Sequence, residues 1–312
     1  MEQTAEVQAP PHRRFKPQRR RVAVEANRPA MLDYWDLTKP EISFLVTISA
    51  LAGFLLGSPG AVRGADLAVA LAGTVLCAAS SGVLNHYVER AHDALMRRTV
   101  NRPLPSGRIA PCAALLYGLT LMVLGLAVLS FTNLLTLSLA ALTIVLYLTA
   151  YTPLKRRTRH NTLIGTIPGA LPALGGYTAA TGVLGAAGWA LFAILVLWQM
   201  PHFLSLAWLY RKDYARANYA MLPVVCPDGN ATANQTLYFT IGLAVASVLP
   251  AVIGSAGWVY LAGAILLSTW FLAPAYAFYR SLSMQNARRV LSASILYIPL
   301  LVVLICVDRW VQ

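Results

Sequence analysis

Charge is what this chain of 312 residues has little of: only 12% of it is Asp, Glu, Lys or Arg. A soluble domain carries about 25%. Acid is scarcest, with 12 carboxylates against 25 basic residues. Cysteine is sparse as well. Cys77, Cys112, Cys226 and Cys306 stand far apart, which excludes a disulfide framework and a zinc site built on paired cysteines. No repeat of solenoid length is visible. The first forty residues hold no apolar core of signal-peptide type.

What the chain has instead is apolar length: 57% of its residues are hydrophobic and its mean hydropathy is +0.59. About nine runs, roughly 41–57, 66–87, 112–131, 133–151, 162–182, 188–208, 236–256, 258–279 and 291–307, reach or approach the length a helix needs to cross about 30 Å of hydrocarbon. In lipid the backbone must satisfy itself, which favours helices. The expectation is an all-α polytopic membrane protein of about nine transmembrane helices. It forms one domain over 39–312, preceded by a basic, disordered tail over 1–38.

The net charge of +13 could point to nucleic acid, but its distribution points to membrane topology. Between these runs, 23 of the 25 lysines and arginines fall on one side, and only Arg63 and Arg309 on the other. The positive-inside rule then sets the amino terminus in the cytoplasm and the carboxyl terminus outside. Glu2, Glu6 and Glu25 suit a transit peptide poorly, so a bacterial inner membrane is the expected location. Chemistry is expected on the basic side, where the long loops lie.

On that side the second run ends in "NHYVERAHDALMRRTVNRPLPSGRI". Continued as a helix, it puts Asn85, Glu89 and Asp93 on one face, four residues apart. Gly73, Cys77 and Ser81 lie on a similar stripe and leave room for a neighbouring helix. An amide and two carboxylates make a hard-oxygen site, which Mg²⁺ fills out with water and substrate phosphate. Arg97, Arg98, Arg102 and Arg108 follow as forked donors for phosphate oxygens. A plainer role is open: Glu89 and Asp93 pair with Arg90 and Arg97 at a helix end. Asp213, the only acid between Asp93 and Asp228, emerges on the same side beside Arg211, Lys212 and Arg216. Two such clusters favour a pocket that clamps a diphosphate through metal.

The segments "LTKPEI" at 37–42, "NHYVERAHDALMRRTVNRPLPSGRI" at 85–109, "YTPLKRRTRHNTLIGTIPGALPALGGY" at 151–177, "WQMPHF" at 198–203 and "DYARANYAMLPVV" at 213–225 resemble the UbiA-type intramembrane prenyltransferases. The arginine-rich tail of the second, with "WQMPHF" and "YAMLPVV", resembles their haem O synthase (protohaem IX farnesyltransferase) branch. That resemblance implies a helix bundle around a central cavity. It also implies Mg²⁺-dependent transfer of farnesyl from farnesyl diphosphate to a vinyl group of haem B, giving haem O. Asn85, Glu89 and Asp93 match the first metal and diphosphate motif, and Asp213 the second. Arg97, Arg98, Arg102 and Lys155 match basic diphosphate-binding positions, and Lys212 joins them beside Asp213.

His202 and His86 are candidate haem contacts, with hydrogen bonding inside the bundle as the other reading. Trp198 and Phe203 read as packing, and Tyr147 and Tyr151 as residues along the path of an allylic cation. His92 has no assigned role. Glu89 stands where the family commonly has Asp, and the second motif keeps one clear carboxylate. Membrane lipid and a downstream haem-modifying or oxidase-assembly protein are the expected partners. The alternatives are a prenyltransferase for a small aromatic acceptor such as 4-hydroxybenzoate, and a transporter or haem-handling protein.

Overall fold

The computed structural model describes residues 29–58 and 60–312. Those residues are helices and their connections, without a strand among them. In chain order the helices begin with α1 Ala30–Leu37, α2 Pro40–Gly57, α3 Gly64–Asp93 and α4 Pro111–Leu129. Next come α5 Leu134–Leu154, α6 Asn161–Thr181 and α7 Ala186–Leu209. Two short helices follow, α8 Arg211–Arg216 and α9 Leu222–Val225. The chain then runs through α10 Asn230–Val252, α11 Trp258–Arg280 and α12 Met284–Val311.

Eight of these helices are long and apolar enough to cross a membrane: α2 to α5, α7 and α10 to α12. The chain is a multi-pass membrane protein. The ninth expected span is α6, a 21-residue helix. Its glycines, threonines and two interior prolines keep it outside that apolar set, and it packs inside the bundle instead. This glycine- and proline-rich stretch is one continuous helix, with Pro168 and Pro172 inside it. Its glycines serve close approach. A Cβ on Gly176 would fall 1.9 Å from the Ala50 carbonyl oxygen of α2, and one on Gly53 1.9 Å from that of Ala173. The backbones of α2 and α6 therefore touch, as small residues permit in membrane bundles.

The small stripe on α3 does the same for α4. A Cβ on Gly73 would meet Leu129, and one on Gly125 would meet Cys77. The largest apolar cluster joins α7, α10, α11 and α12 through Trp198, Leu243, Phe271, Phe278 and Tyr297.

Of the expected basic tail, residues 1–28 lie outside the described residues. Its remainder is structured rather than tail-like: α1 buries Asp33 and Leu37. Leu37 enters a cluster with Val83, Leu104 and Ile109, and Tyr34 meets Tyr117 edge-on at 5.2 Å. Arg108 donates from Nε to both Asp33 oxygens at 3.0 and 3.1 Å. Anchors this specific outweigh the ordering entropy of a short helix.

Candidate active site

The bundle encloses a cavity of about 790 Å³ whose walls come from α2, α3, α5, α6 and α7. One end is charged. Asn85, Glu89 and Asp93 line it from the last turns of α3, all three buried. Their spacing on one helix face puts them there, and each meets a cation from a different element. Lys155, just past α5, donates to Glu89 Oε1 at 2.8 Å. Arg102 Nη1 donates to Asp93 Oδ2 at 2.9 Å. Lys39, at the junction of α1 and α2, donates to Asn85 Oδ1. The simple helix-end pairing of Glu89 with Arg90 and Asp93 with Arg97 is not what forms.

Asn85 is held in one orientation by a chain of donors. Thr152 Oγ1 gives its single hydrogen to the Tyr147 carbonyl at 2.8 Å. It can therefore only accept from Asn85 Nδ2, 3.3 Å away, which leaves the amide oxygen for Lys39. The same carbonyl also accepts the Thr152 backbone amide, because α5 ends in a π-helical turn, Leu146–Tyr151. Such turns mark functional sites because they widen the helix and redirect its side chains. This one puts both Tyr147 and Tyr151 on the cavity, and Lys155 Nζ lies 4.6 Å over the Tyr151 ring.

Two residues that the sequence reading gave no role belong to this end. Lys39 adopts φ +49°, a left-handed conformation that costs a non-glycine residue about 1–2 kcal/mol. Burial and the charge of Arg102 lower its pKa to about 7, so an anion beside it would favour its charged form. Burial also opposes charge on Lys155, but the Glu89 carboxylate outweighs it and holds that pKa well above the ordinary lysine value. Tyr219 lines the same end and stacks on His92, centroids 5.8 Å apart. His92 in turn hydrogen-bonds Arg156 at 3.0 Å. The sequence signals were slight: a lysine before the proline that opens a span, and a tyrosine in a loop.

The segment after α3 folds back over this mouth. Thr99 Oγ1 donates to the Asp93 carbonyl at 2.7 Å, setting the turn that returns Arg102 to the Asp93 side chain. Arg98 lines the cavity and donates to the Tyr214 hydroxyl at 3.1 Å. Asp213, Arg97 and Lys212 are not among the lining residues. Asp213 is buried and accepts from Arg216 at 2.6 Å, while Arg97 and Lys212 are exposed.

Another part of the lining is aromatic. Trp198, His202 and Phe203 of α7 line it, with the His202 ring stacked on Trp198 at 5.2 Å. Ser294 of α12 donates to the Leu291 carbonyl at 2.6 Å, so towards His202 Nδ1, 2.8 Å away, it accepts. Nδ1 therefore carries the proton in the neutral ring, and Nε2 keeps a lone pair. His86 also lines the cavity, buried, with no hydrogen-bond partner for either ring nitrogen.

A profile of the UbiA prenyltransferase family matches residues 46–298. The chain belongs to that family. A relative named protoheme IX farnesyltransferase from Salinibacter ruber is 58% identical over 277 residues, covering 88% of this chain and 98% of the relative. Another of that name, from Solibacter usitatus, is 44% identical over 289 residues, covering 89% and 99%. Among solved structures, a digeranylgeranylglyceryl phosphate synthase superposes with a TM-score of 0.74 at 17% identity, over 90% of this chain and 99% of that one. A UbiA homologue from Archaeoglobus fulgidus bound to GPP and Mg²⁺ gives a TM-score of 0.61 at 16% identity, over 88% and 99%. Similarity at that level shows the family's fold.

Proposed function

We propose that this chain transfers the farnesyl group of farnesyl diphosphate to a vinyl group of haem B, with addition of water, to give haem O and diphosphate. The observation that carries this reading is one cavity lined both by a charged cluster and by an aromatic one, in a chain whose close relatives are named for that reaction. The charged cluster suits a diphosphate. The aromatic wall, with its stacked histidine, suits a flat macrocycle better than it suits a small aromatic acid.

Mg²⁺ fits the charged end. Asp93 Oδ1 is buried without a hydrogen-bond partner, an acceptor that a cation would satisfy. Among the described residues no three carboxylates, histidines or cysteines gather at a metal-binding distance. The donor set is Glu89, Asp93 and the Asn85 amide oxygen, a count that suits an ion sharing its shell with water and phosphate. When bound, Mg²⁺ supplies charge to the leaving diphosphate.

The chain's own residues do the rest. Lys155, Arg102 and Arg98 bring cations to the departing diphosphate, where low dielectric makes each more effective than in water. As the allylic C–O bond breaks, Tyr147 and Tyr151 present ring faces beside the cationic carbon. The vinyl group attacks that carbon, and water captures the resulting cation, leaving the hydroxyl and passing its proton to the released diphosphate. His202 offers Nε2 to the haem iron, its tautomer set by Ser294, and His86 stands as a second contact. Asp213, Arg97 and Lys212 take no part in this reading. The basic side of the bundle faces the cytoplasm of a bacterial inner membrane, with the carboxyl terminus outside.

The test is mass spectrometry of the purified protein incubated with haem B, farnesyl diphosphate and Mg²⁺. A product heavier than haem B by farnesyl plus water is expected, and it disappears in Asp93→Asn. Diphosphate release with 4-hydroxybenzoate, and none with haem, would overturn the acceptor assignment.

A further inference from the structure

Gln199 is a polar side chain that the mechanism above leaves unused. It follows Trp198 on α7, one turn before His202, lines the cavity and is 4% exposed. Both hydrogens of its amide are spent. Nε2 donates to the Thr166 carbonyl of α6 at 3.2 Å and to the Leu195 carbonyl at 3.1 Å. Two carbonyls can only accept, so the nitrogen must face them and the oxygen must face away. Among the described residues no group donates to that oxygen.

Backbone repair does not account for this residue. A proline inside a helix takes the helical partner from the carbonyl four residues before it. Pro168 and Pro172 do so to Ile164 and Pro168 on α6, and Pro201 to Leu197 on α7. Gln199 serves none of these three. An amide oxygen fixed in an apolar span costs free energy unless a donor meets it there. The neighbouring helix is shaped to admit it. Gly169 of α6 also lines the cavity, and a Cβ there would fall 2.0 Å from Gln199 Oε1. The oxygen occupies the room that a side chain would take.

The reactants narrow what that acceptor can meet. Haem B with ionised propionates and a metal-bound prenyl diphosphate offer acceptors only, which leaves water as the reactant that donates. We propose that Gln199 holds the water that captures the cation, its Oε1 accepting one water hydrogen so that a lone pair of the water faces the reacting carbon. This rests on the haem farnesylation reading above. The new bond from farnesyl to the outer vinyl carbon leaves the positive charge on the inner one, beside the porphyrin ring. The water oxygen forms its C–O bond there, and the surplus proton goes to the released diphosphate. An amide oxygen is too weak a base to keep that proton, so Gln199 orients the water and does not deprotonate it. A cation that meets no water loses a proton from the adjoining carbon to the same diphosphate. The product is then an alkene, lighter than haem O by one water. Capture and loss compete, and the placing of the water decides between them.

That competition is read as a product ratio, by mass spectrometry of the full chain in nanodiscs with haem B, farnesyl diphosphate and Mg²⁺. The unaltered chain should give the hydroxyl product almost alone. Gln199→Met keeps the side chain's length and removes the acceptor, and the ratio of hydroxyl to alkene should fall at least about tenfold. Gly169→Ala should shift the ratio the same way, because its Cβ displaces the amide oxygen while Gln199 itself is untouched. It keeps the test available if Gln199→Met does not fold. Gln199→Glu retains an acceptor and should hold the ratio within about threefold of the original. Folded Gln199→Met and Gly169→Ala proteins with an unchanged ratio, whatever their total turnover, would refute the proposal and leave Gln199 as a tie between α6 and α7. Should the unaltered chain make no farnesylated haem at all, the haem reading fails, and the role of Gln199 falls with it.

Discussion

Two of the places where this bundle holds buried charge handle it differently. At the end remote from the active site, Asp308 and Arg309 close α12. Asp308 accepts from the backbone amides of Gly257 and Tyr260 at the start of α11, and from Gln312. Arg309 donates to the backbone carbonyls of Leu55, Ser58 and Gly60. Backbone partners cannot move away without unfolding, so these charges act as staples. At the active-site end the acids face long, mobile side chains, and Asp93 Oδ1 and both nitrogens of His86 have no partner. Charge tied to backbone serves the fold; charge tied to side chains can be re-partnered by a ligand.

The sharpest way to break that comparison is Asp93→Asn. Product formation should fall at least about 10³-fold, the scale of losing a principal electrostatic contact in a transition state. The melting temperature should hardly move, since Thr99 bonds the Asp93 backbone rather than its side chain. A large loss of thermal stability would place Asp93 with the staples instead.

That residue was legible because a step of four on one helix needs only local geometry. Glu89 and Asn85 follow from the same arithmetic, as does the small stripe that admits α4. Lys39 was not legible, because its role depends on a left-handed turn and on an amide 46 residues away. Lys155 was visible only through resemblance, since four basic residues stand together there and the sequence does not say which one points inward. Asp213 shows the converse. It has the composition of a site residue, yet the chain turns at Tyr210 and gives it Arg216 as a partner, away from the cavity lining. The count of spans was close because hydropathy dominates, and it blurred at α6, where small residues replace large apolar ones.

At the far end, Asp308→Ala strands two backbone amides and should cost about 1–3 kcal/mol of stability. A lowered melting temperature with turnover per folded molecule unchanged would uphold the contrast; unchanged melting would remove Asp308 from the staples. Arg108→Ala sits between the two kinds of site, since its partner Asp33 anchors α1 over the cavity mouth. A loss of about 1 kcal/mol in stability, with a raised KM for farnesyl diphosphate and little change in kcat, is expected from steady-state kinetics. The smallest effect belongs to Ser294→Ala, which removes one hydrogen bond to His202. Haem affinity should fall about fivefold, read as a shifted titration of the Soret band, with diphosphate binding untouched.

The π-helical turn in α5 is, in register terms, one residue too many. Every position after it is turned by about 100° relative to an uninterrupted helix. Thr149 is solvent- or lipid-facing within that turn, so its removal would restore a regular helix without emptying the core. The cost would fall downstream: Lys155 would swing off Glu89, and Thr152 would leave Asn85. Here a single surplus residue sets the aim of everything that follows, so in this stretch a deletion would be far more damaging than a substitution.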